Sequence, residues 1–359
     1  MQSPRVACLV PSATDLAAHL GLNIVGVSHE CDHPRARGLP ALTRSAIAAG
    51  PGAHAPAEID RQVSAAAASG EPLYTVDRAL LSALAPQLVL SQAICDVCAA
   101  RADACDLPPG ARLLELAATD IAGLIADIRA VADAADVAAR GEDCIAQLTA
   151  RLAAVPAGSA RPRVLALEWG DPPFLGGHWV PELVERSGGH HLLAAPGQPS
   201  RRATWSEIAA ADPDILVFMP CGYGLAESAR EAVALCERPE IGALRCVLAG
   251  QLWATDATAL FSRCTPQSVV AGVETLAAIF AARPVDPARA CRITPRRPPT
   301  IDRFFTREQQ VELVVVITGQ AVSTSIFAAL DARHALTAPS VRSPAGSRSP
   351  CPAASPSSH

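Results

Sequence analysis

The sequence predicts an α/β protein: two lobes joined by a long helix, with a ligand cleft between them. Three observations predict it. Short apolar runs alternate with helical patterns from residue 6 to about 117. The alternation stops between residues 119 and 155, where only helical spacing is found, and it resumes from 164 to about 283. Continuous apolar strands separated by helices make a largely parallel sheet covered on both faces. Such sheets take ligands at the carboxyl ends of their strands.

Taken in order, strands are expected at 6–10, 24–28, 88–91 and 113–116, with helices at 16–20, 58–68, 78–84 and 97–104. In the connector, Ile121, Leu124, Ile125, Ile128, Val131 and Ala132 recur at helical spacing, as do Ile145, Leu148 and Leu152. This is one long helix or two in series. Thr119 or Asp120 can cap its start, Gly141 can kink it, and Pro156 with Gly158 closes it. Strands then follow at 164–167, 215–219 and 252–255, with helices at 181–187, 205–210, 226–236 and 266–282. The resulting division is a first lobe at 1–117, the connector at 118–160 and a second lobe at 161–283. Beyond it lie a Pro/Arg-rich linker at 284–300, a helical segment at 301–336 and a Ser/Pro/Ala-rich disordered tail at 337–359.

Composition agrees. The chain has 359 residues, of which 50% are hydrophobic and 18% charged, enough to build buried cores and to exclude wholesale disorder. A formal net charge of −5 argues against nucleic acid as a partner. All 30 basic residues are Arg, which reads as genome bias and not as a functional signal. No apolar run reaches the ~20 residues that cross a bilayer, and no signal-peptide pattern opens the chain. A reduced cytoplasmic location is therefore expected for the sequence as it stands. It becomes periplasmic if translation starts upstream with a signal peptide. A monomer is expected.

Polar clusters stand where strands are expected to end, and loops there carry function. The first is Pro11-Ser12-Ala13-Thr14-Asp15, in which Ser12 or Thr14 can also serve as a helix cap. The second, Ser28-His29-Glu30-Cys31-Asp32-His33-Pro34, gathers ligand-capable side chains that make poor core. The third contains Cys95-Asp96-Val97-Cys98, a single CxxC that suits metal or redox chemistry but is no zinc knuckle by itself. The fourth runs from Glu168 to Trp179 with Trp169, Phe174, His178 and Trp179 in a Gly/Pro-rich turn. Indole rings in a loop favour contact with something flat and large. The fifth holds Cys221 and Tyr223, and the sixth Arg263 and Cys264, where Arg263 can meet an anionic group. Of the 12 Cys, Cys8, Cys144 and Cys236 sit in apolar or helical patterns and read as small buried hydrophobes. No GxGxxG, Walker A, G-x-S-x-G or HExxH motif occurs, and no nucleophile–base pair can be named, so no enzyme activity is expected.

The stretches RVACLVPSATDLAAHLG, IVGVSHECDHP, EIDRQV, LYTVD, SQAICDVCA, LEWGDPPFLGGHWVPELVERSGG and TWSEIAAADPDILVFMPCGYG, with the helix after FSRCTP, resemble a known family. Residues 5 to about 283 are similar, in order, to the cobalamin-binding group of the class III (iron-siderophore and vitamin B12) periplasmic binding proteins. The resemblance implies two Rossmann-like lobes, a rigid interdomain helix, and a corrinoid or iron chelate held in the cleft for an ABC importer permease. It implies an aromatic surface at Trp169, Phe174, Trp179 and Tyr223, with polar contacts at Ser12 and Arg263. The loop residues His29, Glu30 and His178 are further expected contacts, His29 or His178 approaching cobalt because imidazole suits transition metals. The ligand expected is cobalamin or a related corrinoid. A rival reading makes the chain a cytosolic metal- or redox-active protein. It uses Cys31, Cys95, Cys98, His178 and Cys221 for zinc or iron, since thiolate and imidazole suit those metals. Residues 304–331 resemble a helical piece of carboxymuconolactone-decarboxylase-like proteins, without a CxxC.

Overall fold

The computed structural model describes residues 3–47, 56–69, 72–92, 94, 107–156, 158, 160–294 and 314–315. The first lobe runs β1 (Arg5–Cys8), α1 (Pro11–His19), β2 (Asn23–Gly26), β3 (Thr43–Ser45), α2 (Pro56–Ser69), β4 (Tyr74–Val76), α3 (Arg78–Leu84), β5 (Leu88–Gln92) and β6 (Arg112–Leu116). Four strands form a parallel sheet in the order β2-β1-β5-β6, and β3 pairs antiparallel with β4 beside it. Along β1 and β5, Val6, Cys8, Leu88 and Leu90 enter one apolar cluster, while Ala7 and Val89 enter another on the opposite face. Burial on both faces is why these strands read as unbroken apolar runs.

The strand β1 ends sooner than expected, and α1 starts five residues earlier than its apolar spacing suggested. Pro11 sets the helical φ at the first position and lacks only an N–H that the helix would leave unpaired anyway. Ser12 and Thr14 are therefore not caps. They lie within the first turn; the buried Ser12 hydroxyl has no hydrogen-bond partner among the described residues, while that of Thr14 lies against the Cys8 thiol. The helix expected at 97–104 lies outside the described residues.

The connector is two helices, α4 (Ile121–Ala134) and α5 (Ala138–Ala154). Asp120 caps α4, accepting from the Gly123 N–H at 2.6 Å. The break falls at residues 135–137, where Asp136 takes a φ of 57°. Gly141 does not kink the chain. It sits inside α5, where a Cβ would collide with that of Ala132, so the missing side chain lets the two helices close.

The second lobe runs β7 (Arg163–Gly170), β8 (Pro173–Leu175), α6 (Val180–Arg186), β9 (His190–His191), β10 (Arg201–Arg202), α7 (Trp205–Ala211) and β11 (Ile215–Phe218). It continues through α8 (Leu225–Cys236), α9 (Pro239–Gly242), α10 (Arg245–Leu248), β12 (Leu252–Thr255), α11 (Ala257–Leu260), α12 (Pro266–Phe280), β13 (Ala290–Thr294) and β14 (Val314–Val315). Its sheet has the order β10-β8-β7-β11-β12-β13-β14, with β9 also on β7. The core strands β7, β11 and β12 are parallel, and β8, β10, β13 and β14 are antiparallel additions. Two of these additions revise the sequence reading. The Glu168–Trp179 turn is a β-hairpin, with Trp169 opposite Phe174. The 284–300 stretch contains β13, whose Ala290, Cys291 and Ile293 are buried while Arg292 covers the Trp253 ring at 5.0 Å. Of the 301–336 segment expected to be helical, the described residues Val314 and Val315 are a strand.

One apolar cluster joins the lobes. It runs from Val6 and Leu90 through Ile128 and Leu148 of the connector to Trp179, Val217, Val270 and Val273. The lobes therefore share a core on the connector side. Close-packed interiors transmit strain instead of yielding to it.

Candidate functional site

The strand ends of the two sheets meet through polar contacts. Arg263, in the loop before α12, reaches across to the first lobe, where its Nη1 lies 3.2 Å from Asp15 Oδ2 and 2.7 Å from Asp32 Oδ1. Asp15 belongs to α1, and Asp32 to the loop after β2. The two carboxylates outweigh burial and hold the guanidinium above its ordinary pKa. Burial pushes Asp15 up, an effect Arg263 only partly offsets. Two further contacts cross the same boundary. Trp169 Nε1 donates to the Pro56 carbonyl at 3.3 Å, and Arg202 pairs with Asp60 of α2 at 3.0 Å.

Around this boundary the structure brings several expected residues together. Trp169 and Tyr223 meet edge to face with ring centroids 5.5 Å apart. Burial and the nearby Glu231 and Glu227 carboxylates push the Tyr223 phenol up to about 12, so it stays neutral and can donate a hydrogen bond. Its loop turns at Gly222, whose φ of 79° suits glycine, and Cys221 beside it is exposed. Phe174 lies under the Arg202 guanidinium, 5.3 Å from ring centroid to Cζ. Ser12 is almost fully buried at the start of α1, at the carboxyl end of β1.

After β2, His29 Nδ1 lies 2.7 Å from Thr43 Oγ1, and its Nε2 is 3.9 Å from Glu30 Oε1. The Tyr74 hydroxyl donates to the same Glu30 oxygen at 3.4 Å. His178 takes a φ of 52°, its backbone N–H donating to the Gln198 carbonyl at 2.6 Å, and half-burial pushes its ring pKa down. The adjacent Gly177 is needed there, because a Cβ would run into the Ser200 backbone.

Other expectations do not hold. Trp179 belongs to the core shared by the lobes: it is 7% exposed, and its Nε1 donates to the Phe261 carbonyl at 2.9 Å. An indole with its one donor satisfied is an efficient core residue. Cys264 is buried beside Asp127, Asp120 and Glu182, and burial drives its thiol pKa well up. Cys8 and Cys144, by contrast, are buried as expected and Cys236 is partly so, and burial holds the Cys8 thiol up to about 12 and those of Cys144 and Cys236 up to about 11. Thiols so raised stay protonated and are poor metal ligands. Cys95 and Cys98 lie outside the described residues. Among the described residues no three His, Cys, Asp or Glu side chains group to hold a metal ion, so Cys31, His178 and Cys221 do not form one.

Sequence reading missed Asp15, Asp60, Arg202 and Thr43. Asp15 stood inside the first polar cluster and could have been weighed as an ion-pair partner. Thr43 carries no local signal, because its contact with His29 arises from how β3 sits against the loop after β2.

No family model and no curated protein matches the chain. Solved structures do. An ABC transporter substrate-binding protein from Listeria monocytogenes superposes with a TM-score of 0.59 at 14% identity, over 79% of this chain and 100% of that one. A possible iron-binding periplasmic solute-binding protein from Staphylococcus epidermidis gives 0.58 at 15% identity, over 78% and 99%. A periplasmic heme-binding protein from Pseudomonas aeruginosa gives 0.55 at 19%, over 80% and 97%. The chain has the class III periplasmic-binding-protein fold. At these identities the likeness is one of fold. Among the described residues no helix is long and apolar enough to cross a membrane.

Proposed function

We propose that this chain binds a flat metal chelate of the corrinoid or heme class at the strand-end boundary between its lobes, without catalysis, and hands it to an ABC-type permease. The observation that carries this is the Trp169–Tyr223 aromatic pair, whose Trp169 N–H reaches across to Pro56 of the other lobe. Flat macrocycles are held by rings of this kind, with a few polar groups setting orientation. Arg263 supplies a cation for a ligand carboxylate or phosphate, Phe174 and Arg202 extend the surface, and Glu30 adds a polar contact, while the Ser12 hydroxyl is buried behind it. Solved proteins of the same fold include a heme-binding protein and a possible iron-binding one, which supports the ligand class. The sequence resemblance favours cobalamin or a related corrinoid within it. Delivery to a permease requires an exported form of the chain, while an intracellular form would serve salvage.

Calorimetry and visible spectra with cyanocobalamin, cobinamide and hemin test the reading. At least one ligand is expected to bind at micromolar concentration and to quench tryptophan fluorescence through Trp169. Silence in both measurements with all three ligands overturns it.

A further inference from the structure

The excursion between β3 and β4 carries α2 away from the first lobe's sheet and back. The two strands pair antiparallel, Thr43–Ser45 against Tyr74–Val76, so the chain leaves and returns at one place. Helices in folded proteins take most of their stability from packing an apolar face, and α2 has little to pack. After Pro56 its larger apolar side chains are Ile59 and Val63, both only half-buried, and Ser and Ala fill positions 64–69. None of its described side chains enters the apolar clusters of either lobe.

What α2 meets is the aromatic surface of the second lobe. The Pro56 carbonyl accepts from Trp169 Nε1 at 3.3 Å, and both Asp60 oxygens accept from Arg202 Nη2, at 3.0 and 3.1 Å. These partners edge the proposed ligand surface, Trp169 beside Tyr223 and Arg202 over Phe174. Each is also engaged within its own lobe. Trp169 Nε1 is shared with the Asp171 carbonyl at 3.2 Å, and the Arg202 guanidinium lies 5.3 Å from the Phe174 centroid. Lifting α2 therefore strands neither donor. The Arg202 and Asp60 side chains are 54% and 22% exposed, and a pair so exposed contributes little.

We infer that α2 is a releasable strap over the Trp169–Phe174 surface in the ligand-free protein, with Asp60 as its latch, and that an incoming ligand takes its place there. This inference rests on the proposed ligand surface. A surface open only while α2 is off binds with an affinity reduced by the fraction of time it is off. The latch thus opposes binding, and loosening it favours the ligand. Asp60 is the residue that isolates this effect, because Arg202 also covers Phe174 and Trp169 also meets Tyr223.

Two measurements on the full chain test this. In the ligand-free protein, Asp60→Asn is expected to speed amide hydrogen exchange over residues 57–69 while β7 and β11 keep wild-type protection. Exchange over α2 that Asp60→Asn leaves unchanged overturns the inference without touching the proposed ligand class. Stopped-flow quenching of tryptophan by dicyanocobinamide and by hemin then reads access to the surface. With each probe that binds wild type, Asp60→Asn should raise association rate and affinity roughly 2- to 5-fold, the scale of one exposed ion pair. Asp60→Glu should return both to wild type. Asp143→Asn, which removes an exposed carboxylate from α5, should change neither and so separates release of the strap from a change in net charge. An unchanged thermal midpoint guards against a folding defect. Affinity that falls in Asp60→Asn, or a rate that stays the same while exchange rises, shows that α2 does not cover the surface and overturns the inference. Failure of both probes to quench wild type refutes the ligand class itself, and the strap with it.

Discussion

The two lobes meet on two sides that differ in kind. On the connector side the junction is apolar, running through Leu148, Trp179, Val270 and Val273, and it is continuous with the core of each lobe. On the strand-end side it consists of Arg263 with Asp15 and Asp32, Arg202 with Asp60, and the Trp169 N–H on Pro56. Apolar burial is non-directional and proportional to area, and close packing resists local rearrangement. The Arg202–Asp60 pair and the single Trp169 hydrogen bond are worth little each and exchange readily with water or ligand. Of these contacts only the Arg263–Asp15 pair is largely buried. One side therefore holds the lobes together while the other can give way to a ligand.

The largest expected effect lies on the apolar side. Trp179→Ala should cost about 3–5 kcal/mol by opening a cavity in the shared core, read as a loss of denaturant midpoint. A cost under 1 kcal/mol would mean that the lobes do not depend on this junction. Next comes Arg263→Ala, expected to cost about 2–3 kcal/mol at neutral pH because Asp15 is left buried without its partner. Burial already raises the Asp15 pKa, and removing Arg263 raises it further. A carboxyl whose folded pKa exceeds its unfolded one penalises the folded state only when ionised, so this deficit should shrink as pH falls toward 4. A deficit independent of pH would point to lost packing instead.

The third effect is acid sensitivity inside the second lobe. Burial lowers the His191 pKa from 6.5 to about 4, and its Nδ1 has no hydrogen-bond partner among the described residues. The unfolded chain takes up this proton near pH 6.5 and the folded chain only near 4. Stability is therefore full at neutral pH and falls as pH drops through that window, by up to about 3 kcal/mol. Chemical denaturation of wild type and His191→Leu at pH 7 and pH 5 should show a smaller acid loss in the variant. The smallest effect is Arg202→Ala, at most about 1 kcal/mol for a pair so exposed. Its hemin or cobinamide affinity should fall even so, since Arg202 covers Phe174. Stability lost on a larger scale would show that this side, too, holds the lobes together.

Much of this plan is present in the chain itself. The apolar runs of β1, β5, β7 and β11 and the helical spacing from Ile121 to Leu152 are local patterns, and strands and helices stand there in the structure, β1 ending two residues sooner than expected. Pattern could not separate the two fates of an aromatic in a Gly/Pro-rich turn. Trp169 and Trp179 stand ten residues apart in similar surroundings, yet one pairs with Tyr223 at the boundary and the other fills the shared core. The difference lies in what Val270, Phe261 and the connector bring to Trp179 from far along the chain. Nor could it show that β13 returns to pair with β12 inside a Pro/Arg-rich stretch, or that Arg263 meets Asp15 across 248 residues. The parallel core strands and the longer helices follow from near neighbours, so the sequence alone determined those. Which polar side chains share a site depends on chain closure, with contacts between distant segments set by how whole layers pack, and only the tertiary structure decides that.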